Sequence, residues 1–215
     1  MTKTFDTRSG DHFFLLAAAT AVLAAIFMIT VWGPLQLRAF ANGTEASQVE
    51  TGVAGKWTHV PFVTTDGRAA TLAASNGQVR VVTMMYTHCP GVCPLAISTL
   101  QRMQSRLSSA QRKSLSIVAL SLDPQHDSLA RLQEFSNARG ISSRQWIVAR
   151  PSVEGARQLA SAMGVNYRAL SDDTVDHQSV FVLLGKSGQV LARTSSTRSI
   201  DPTFFSALQS AVNAN

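Results

Sequence analysis

Apolar residues along the C-terminal part of the chain predict buried strands that alternate with helices. The run Val79–Tyr86 is almost continuously apolar and β-branched, which is typical of a strand buried on both faces. Ser114–Leu122 has the same character and predicts a second buried strand. Between them lies a helical pattern in which Pro94 suits the first turn, where its missing N–H is no loss. The predicted apolar face of this helix consists of Leu95, Leu100, Met103 and Leu107.

The remaining elements follow in the same alternating order. They are a helix over Asp127–Arg139, a strand over Gln145–Ala149, a helix over Val153–Met163, a hairpin of strands over Ser179–Leu184 and Gln189–Arg193, and a helix over Pro202–Val212. Gly140 and Gly164 end two of the helices. Strands that alternate with helices and then close with a hairpin and a helix predict an α/β fold. We expect a thioredoxin-like domain with a mixed central sheet.

An uncharged segment near the N-terminus predicts a membrane span. Phe13–Trp32 contains twenty residues without a charge, and a helix of that length covers about 30 Å. The predicted organisation is a cytoplasmic N-terminus over residues 1–12, a transmembrane anchor over 13–34, a linker over 35–55 and a folded domain over 56–215. The alternative is a cleaved secretory signal, because Ala39–Ala41 resembles a small-residue cleavage site.

The distribution of charge indicates where the domain lies. Lys3 and Arg8 precede the apolar segment and Arg38 follows it, a slight bias that favours a cytoplasmic N-terminus. We therefore expect a single-pass protein of the inner (cytoplasmic) membrane, with its C-terminal domain in the periplasm or an equivalent extracytoplasmic space. The net charge is +6, and the basic residues are scattered along the chain without interleaved aromatic residues. Nucleic-acid binding is therefore not indicated.

The two cysteines of the chain, Cys89 and Cys93, lie where the first predicted strand meets the first helix. Two thiols at such a junction suit either redox chemistry or a soft metal ion. A structural disulfide is disfavoured, because closing so short a loop removes little entropy from the unfolded chain. Residues four apart share one face of a helical turn, so both sulfurs can point the same way. A helix N-terminus is also expected to lower the pKa of Cys93.

The five histidines of the chain are the candidates for a third metal ligand. His177 is the best placed, because the segment that enters the hairpin of a thioredoxin-like sheet lies beside the cysteine turn. His88 adjoins Cys89, but successive residues at a strand end face opposite sides. Surface or capping positions remain the alternative for each histidine.

Three groups of residues resemble the SCO/SenC family of copper-binding proteins. They are Tyr86–Pro90 with Cys93 and Pro94, Ser121–Pro124 with Asp127, and Val175–His177. The resemblance implies an N-terminal membrane anchor, a thioredoxin-like fold and a copper ion, Cu(I) or Cu(II), that is bound by Cys89, Cys93 and His177. Asp176 is a candidate to orient the His177 ring from outside the metal site. Two departures are Gly91, where the family often has Asp, and His126, where it often has Arg.

The resemblance also implies a biological role. Family members help to assemble cytochrome c oxidase, chiefly its dinuclear copper centre, and some act mainly by thiol redox chemistry. The first expectation for this chain is therefore a copper metallochaperone rather than a turnover enzyme. The expected partners are the copper-bearing oxidase subunit, other copper chaperones and thiol reductants.

A second function from a different class is a thiol–disulfide oxidoreductase. In that case Cys89 and Cys93 would form a redox disulfide that keeps cysteines of an oxidase subunit or a copper chaperone reduced. Thioredoxin-like oxidoreductases place a cis-proline before the hairpin strand, whereas this chain has Ser179 there, which favours metal binding. A peroxidase is a third alternative, but the Thr and Arg that it requires near its reactive cysteine are not identified.

Overall fold

Three parallel strands form the centre of the sheet. The structure is a computed structural model, and it describes residues 55–74, 77–141, 144–165, 167–169, 175–177 and 179–214. The strands are β1 (Phe62–Thr64), β2 (Ala69–Ala70), β3 (Val79–Met85), β4 (Leu115–Ser121), β5 (Trp146–Pro151), β6 (Tyr167–Ala169), β7 (Val175–His177), β8 (Phe181–Leu184) and β9 (Val190–Thr194). Seven of the described strands join in the order β2-β1-β5-β4-β3-β8-β9, and β6 pairs with β7 separately.

The pairing directions make the sheet mixed, as the sequence predicts. Strand β4 lies parallel to β3 and to β5, with Val82 opposite Val118 and Val118 opposite Ile147. Strands β1 and β8 are antiparallel to β5 and β3, and they extend the sheet on either side. Every residue of β3 and β4 is buried, which explains why their sequences are mostly apolar.

Helices cover both faces of this sheet. They are α1 (Val92–Ser105), α2 (Ser109–Lys113), α3 (Leu129–Ala138), α4 (Val153–Met163) and α5 (Pro202–Asn213), with a short 3-10 helix over Lys56–His59. Helices α1, α3 and α5 contribute to the apolar cluster on one face, and α4 contributes to the cluster on the other. Helices α2 to α5 begin where a side chain caps the first turn, as Ser152 does for α4, whereas α1 begins after Gly91 without such a cap. Helix α4 ends at Gly164 with φ of 69°.

Most predicted elements are confirmed, with boundaries shifted by a few residues, but one of the four residues predicted for the apolar face of α1 is wrong. Leu95 is 47% exposed, whereas Leu100 and Met103 are buried. Helix α1 also buries Cys93, Ala96 and Ile97, so its buried face includes the second cysteine and excludes Leu95. Leu107 is buried, but it lies beyond the end of the helix.

The membrane segment is not described by the structure. The predicted anchor over residues 13–34 and almost all of the predicted linker lie outside the described residues. Among the residues that are described, none of the helices has the length and apolar character needed to cross a membrane.

Candidate metal centre

The cysteine turn connects the carboxyl end of β3 to the start of α1. Cys89 lies in the connection, where its backbone N–H donates to the carbonyl of Tyr86 at 3.4 Å. Cys93 is the second residue of α1, and its backbone N–H donates to the Sγ of Cys89 at 3.3 Å. Both side chains are thiols and both are buried, Cys89 at 9% exposure and Cys93 at 1%. The turn therefore brings two soft sulfur donors together at the end of the central strand, as the four-residue spacing predicts.

The pKa of Cys93 is raised, which corrects the expectation that the helix N-terminus lowers it. The main cause is a hydrogen bond with the Cys89 side chain, to which burial of the thiol and the charge of Cys89 add. The proximity of the second sulfur and the loss of solvent thus outweigh the helix dipole. The negative charge of Asp127 acts in the same direction. In the metal-free protein Cys93 is therefore a protonated thiol near neutral pH.

Asp127 holds the start of the cysteine turn in place. Its side chain is fully buried, and its Oδ1 accepts from both the backbone N–H of Thr87, at 3.1 Å, and the hydroxyl of Thr87, at 2.6 Å. Its Oδ2 accepts from the hydroxyl of Ser121 at 2.6 Å. One carboxylate thus links the ends of β3 and β4 immediately before the cysteines. From the sequence, Asp127 was identified only as part of a motif. Its hydrogen-bond partners Thr87 and Ser121 lie forty and six residues away, so local patterns do not reveal them.

His88 and His126 form a cluster with Asp123 at the same end of the sheet. The Nδ1 of His126 lies 2.8 Å from Asp123 Oδ2, and the Nε2 of His88 lies 3.7 Å from the same oxygen. The His88 ring also packs against Tyr86, with centroids 4.6 Å apart. The contacts found for His88 are therefore with a carboxylate and with rings. The exclusion of His88 as the third ligand stays a prediction.

His177 lies at the end of a strand that the sequence did not predict. Strand β7 pairs with β6 in an antiparallel hairpin, with His177 opposite Tyr167 and Asp176 opposite Arg168. His177 is the last residue of β7 and lies four residues before Phe181, the first residue of β8. The position of the His177 and Asp176 side chains lies outside what the structure describes, so their roles as ligand and ring partner stay predictions. Among the side chains that are described, no three from His, Cys, Asp and Glu are arranged to hold a metal ion.

Ser179 occupies the position before the hairpin strand at which thioredoxin-like oxidoreductases carry a cis-proline. It is 3% exposed, and the peptide bonds of the described residues include no cis bond. The chain therefore has a serine where a thiol–disulfide oxidoreductase is expected to carry a proline.

Comparison with known proteins identifies the family of the chain. The model of the SCO1/SenC family matches residues 49–212, which is most of the sequence. The chain belongs to the SCO1/SenC family. A relative of this SCO1/SenC protein is the SCO1 protein homolog of Bacillus subtilis, which is 26% identical over 133 residues that span 60% of this chain and 68% of the relative.

Solved structures of Sco proteins share the fold of this SCO1/SenC chain. Yeast Sco1 with copper bound has a TM-score of 0.61 at 19% identity, over 76% of this chain and 90% of the yeast chain. BsSco, which is described as having a disulfide switch and as a member of the Sco family of cytochrome c oxidase assembly proteins, has a TM-score of 0.63 at 22% identity. That match covers 80% of this chain and all of the other. The thioredoxin-like α/β fold with a mixed sheet is thus confirmed.

Proposed function

We propose that the protein is a copper metallochaperone that binds one copper ion through Cys89 and Cys93. The observation that carries this proposal is the cysteine turn itself, in which two buried thiols meet at the end of the central strand. Thiolates are soft ligands and suit Cu(I). The low exposure of both sulfurs keeps bulk solvent from the bound ion, while Cys89 stays close enough to the surface for a partner to take the ion over.

His177 is the proposed third ligand, which completes the site for Cu(I) and for Cu(II). Its support is its place in the chain, in β7 just ahead of the strand that pairs with β3. Asp176 is proposed to accept a hydrogen bond from the ring nitrogen that does not bind copper. A neighbouring residue has little room to bend back to the ring, so a backbone carbonyl is the competing partner.

The proposed recipient is the copper-bearing subunit of cytochrome c oxidase. Membership of the SCO1/SenC family supports this role, because a family member of known structure is described as an oxidase assembly protein. An anchor over residues 13–34 would hold the domain at the outer face of the cytoplasmic membrane, beside the subunit that receives copper. Tethering raises the effective concentration of donor and acceptor without any new contact. Other copper chaperones and thiol reductants are the proposed partners for loading.

The second candidate is a thiol–disulfide oxidoreductase, which one observation favours. The backbone N–H of Cys93 donates to the Sγ of Cys89, so one short turn holds both cysteines, as a redox disulfide between them requires. Ser179 in place of a cis-proline argues against this as the main activity. The two functions share the same cysteines, so replacing these residues does not by itself separate them.

A copper-rescue experiment separates the two functions. A strain that lacks the protein is expected to lose cytochrome c oxidase activity, and added copper is expected to restore part of it. Complementation with His177→Ala, which keeps both thiols, should restore much less activity than the wild type does at limiting copper, and added copper should narrow the difference. Full complementation by His177→Ala at limiting copper, or a deletion phenotype that only added thiol reductant relieves, would favour the oxidoreductase.

A further inference from the structure

A buried arginine lies at the end of β3 opposite to the cysteines. Arg80 is the second residue of this strand and is 3% exposed. Its register partner on β4 is Ser116, which is also 3% exposed. Residues that pair across neighbouring strands point to the same face of a sheet, so the side chains of Arg80 and Ser116 lie on one face. A cation in such a place is costly unless a negative group accompanies it.

The guanidinium of Arg80 lacks any such group among the described residues. Its three nitrogens Nε, Nη1 and Nη2 are all buried, and none has a hydrogen-bond partner there. The hydroxyl of Ser116 is likewise buried without a partner. Burial lowers the pKa of Arg80 to about 10, so the side chain remains a cation at neutral pH. Buried polar groups are nearly always hydrogen-bonded, so the molecule offers a set of donors that still requires an acceptor.

These two side chains line a cavity with a positive character. The cavity has a volume of about 730 Å³, and its lining includes Arg68 and Arg144 as well as Arg80. Among the described residues of the lining, the one acidic side chain is Asp66, whose carboxylate is paired with Arg68 at 2.7 Å. The volume is large enough for a small organic molecule. The excess of positive charge in the lining favours an anionic one.

We propose that this cavity binds a small molecule through an anionic oxygen group, a carboxylate or a phosphate, that pairs with Arg80 and accepts a hydrogen bond from Ser116. A guanidinium presents parallel N–H donors that match two oxygens of one carboxylate or phosphate. Such a ligand would supply acceptors to the guanidinium of Arg80 and to the hydroxyl of Ser116, which the described residues leave without a partner. The group is held by charge and hydrogen bonds, so no covalent or redox step is involved.

The proposed anion site is separate from the cysteine turn. Arg80 and the last residue of β3, Met85, are five residues apart, which corresponds to roughly 16 Å along a strand. Val82 and Met84 alternate with Arg80 on the same face of β3, and they belong to the cluster that includes α4. In contrast, Cys89 and Cys93 belong to the cluster on the other face. The anion proposal can therefore be tested independently of the copper proposal.

Calorimetric titration of the purified full-length chain in detergent tests the site. Inorganic phosphate and acetate are added at constant ionic strength, with chloride as the reference anion. We expect saturable binding of phosphate, acetate or both, with one anion per chain and a melting temperature that rises with its concentration. Which of the two anions binds more tightly identifies the oxygen group that the site prefers.

Two arginine variants provide the matched comparison. Arg80→Met removes the buried cation, and Arg106→Met removes an exposed one just beyond α1, so both change the net charge equally. Arg80→Met is expected to weaken anion binding by about thirtyfold or more, and Arg106→Met to leave it within about twofold. In anion-free buffer Arg80→Met should melt at or above the wild-type temperature, because a well-packed apolar side chain replaces an unpaired buried charge.

Two milder variants decide the matter if Arg80→Met does not fold. Arg80→Lys keeps the charge but loses the paired N–H geometry, and Ser116→Ala removes the hydroxyl. Both should weaken anion binding measurably. The proposal is overturned if the wild type responds to phosphate and acetate no more than to chloride, or if the Arg80 or Ser116 variants bind anion as tightly as Arg106→Met does.

Discussion

Thr87 gives both its backbone N–H and its hydroxyl to a single oxygen of Asp127, and it stands two residues before the first cysteine. The carboxylate lies at the far end of the loop that follows β4, forty residues along the chain. Because Asp127 is fully buried, these hydrogen bonds are shielded from water. They constrain the backbone of Thr87, which lies two residues before Cys89. The position of the candidate metal centre therefore depends on a residue that does not belong to the proposed ligand set.

Replacement of Asp127 by Ala is expected to destabilise the fold. Thr87 and Ser121 would lose their buried acceptor, which should lower the free energy of unfolding by about 1–3 kcal/mol. Urea denaturation followed by circular dichroism measures this change. Glu134→Ala, at an exposed position on α3, is the control and should stay within about 0.5 kcal/mol of the wild type. An Asp127→Ala protein as stable as this control would show that the hydrogen bonds do not hold the turn.

The site could be predicted from the sequence only in part. The spacing of Cys89 and Cys93 predicts that both sulfurs meet on one turn, and the structure brings them together. The raised pKa of Cys93 could not be foreseen, because it arises from burial and from the orientation of the other thiol. The role of Asp127 depends on the register of β3 against β4, which local patterns do not determine.

A pair of leucines on α1 tests which face of that helix is buried. Leu100 is 1% exposed and Leu95 is 47% exposed. Leu100→Ala should lower the free energy of unfolding by about 2–5 kcal/mol, because it leaves a cavity in the core. Leu95→Ala should change it by less than about 0.5 kcal/mol. Equal losses in the two variants, measured by denaturant unfolding, would contradict the orientation of the helix.

The same helix shows why an apolar pattern alone placed Leu95 on the buried face incorrectly. Apolar size favours Leu95 over Cys93 and Ala96 as a core residue, yet the core accepts the two smaller side chains. The turn that carries the cysteines determines how the helix is rotated, so the sulfurs lie inward and Leu95 lies outward. In contrast, α4 agrees with its prediction residue for residue, because Ser152 and Gly164 mark its ends with local capping interactions.

Copper loading is expected to release protons near neutral pH. The pKa of Cys93 is raised by the hydrogen bond with Cys89 and by burial, so the metal-free thiol is protonated at pH 7. A thiolate is required to bind copper, so the proton must leave as the ion binds, and the apparent Cu(I) affinity should fall as the pH falls. An indicator dye in weakly buffered solution measures the release. No release at pH 7, together with an affinity independent of pH between 6 and 8, would show that Cys93 is already ionised.

Substitution of two histidines distinguishes the proposed third ligand from its neighbour in the cysteine turn. His177→Ala should remove the sulfur-to-Cu(II) charge-transfer band and weaken Cu(I) less severely, because two soft thiolates remain. His88→Ala should alter the copper spectrum little, because the contacts found for His88 are with Tyr86, Asp123 and His126. Absorption spectra of both copper-loaded variants give the ranking. The reverse order would assign the third ligand to His88.

The copper content of the reduced full-length chain tests the central claim most directly. Cu(I) is added anaerobically against a competing chelator, and the bound metal is counted per chain. The account predicts one tightly bound copper in the reduced wild type, none in its disulfide form, and none in the Cys89→Ser, Cys93→Ser double variant. One copper retained with undiminished affinity by the double variant would contradict it.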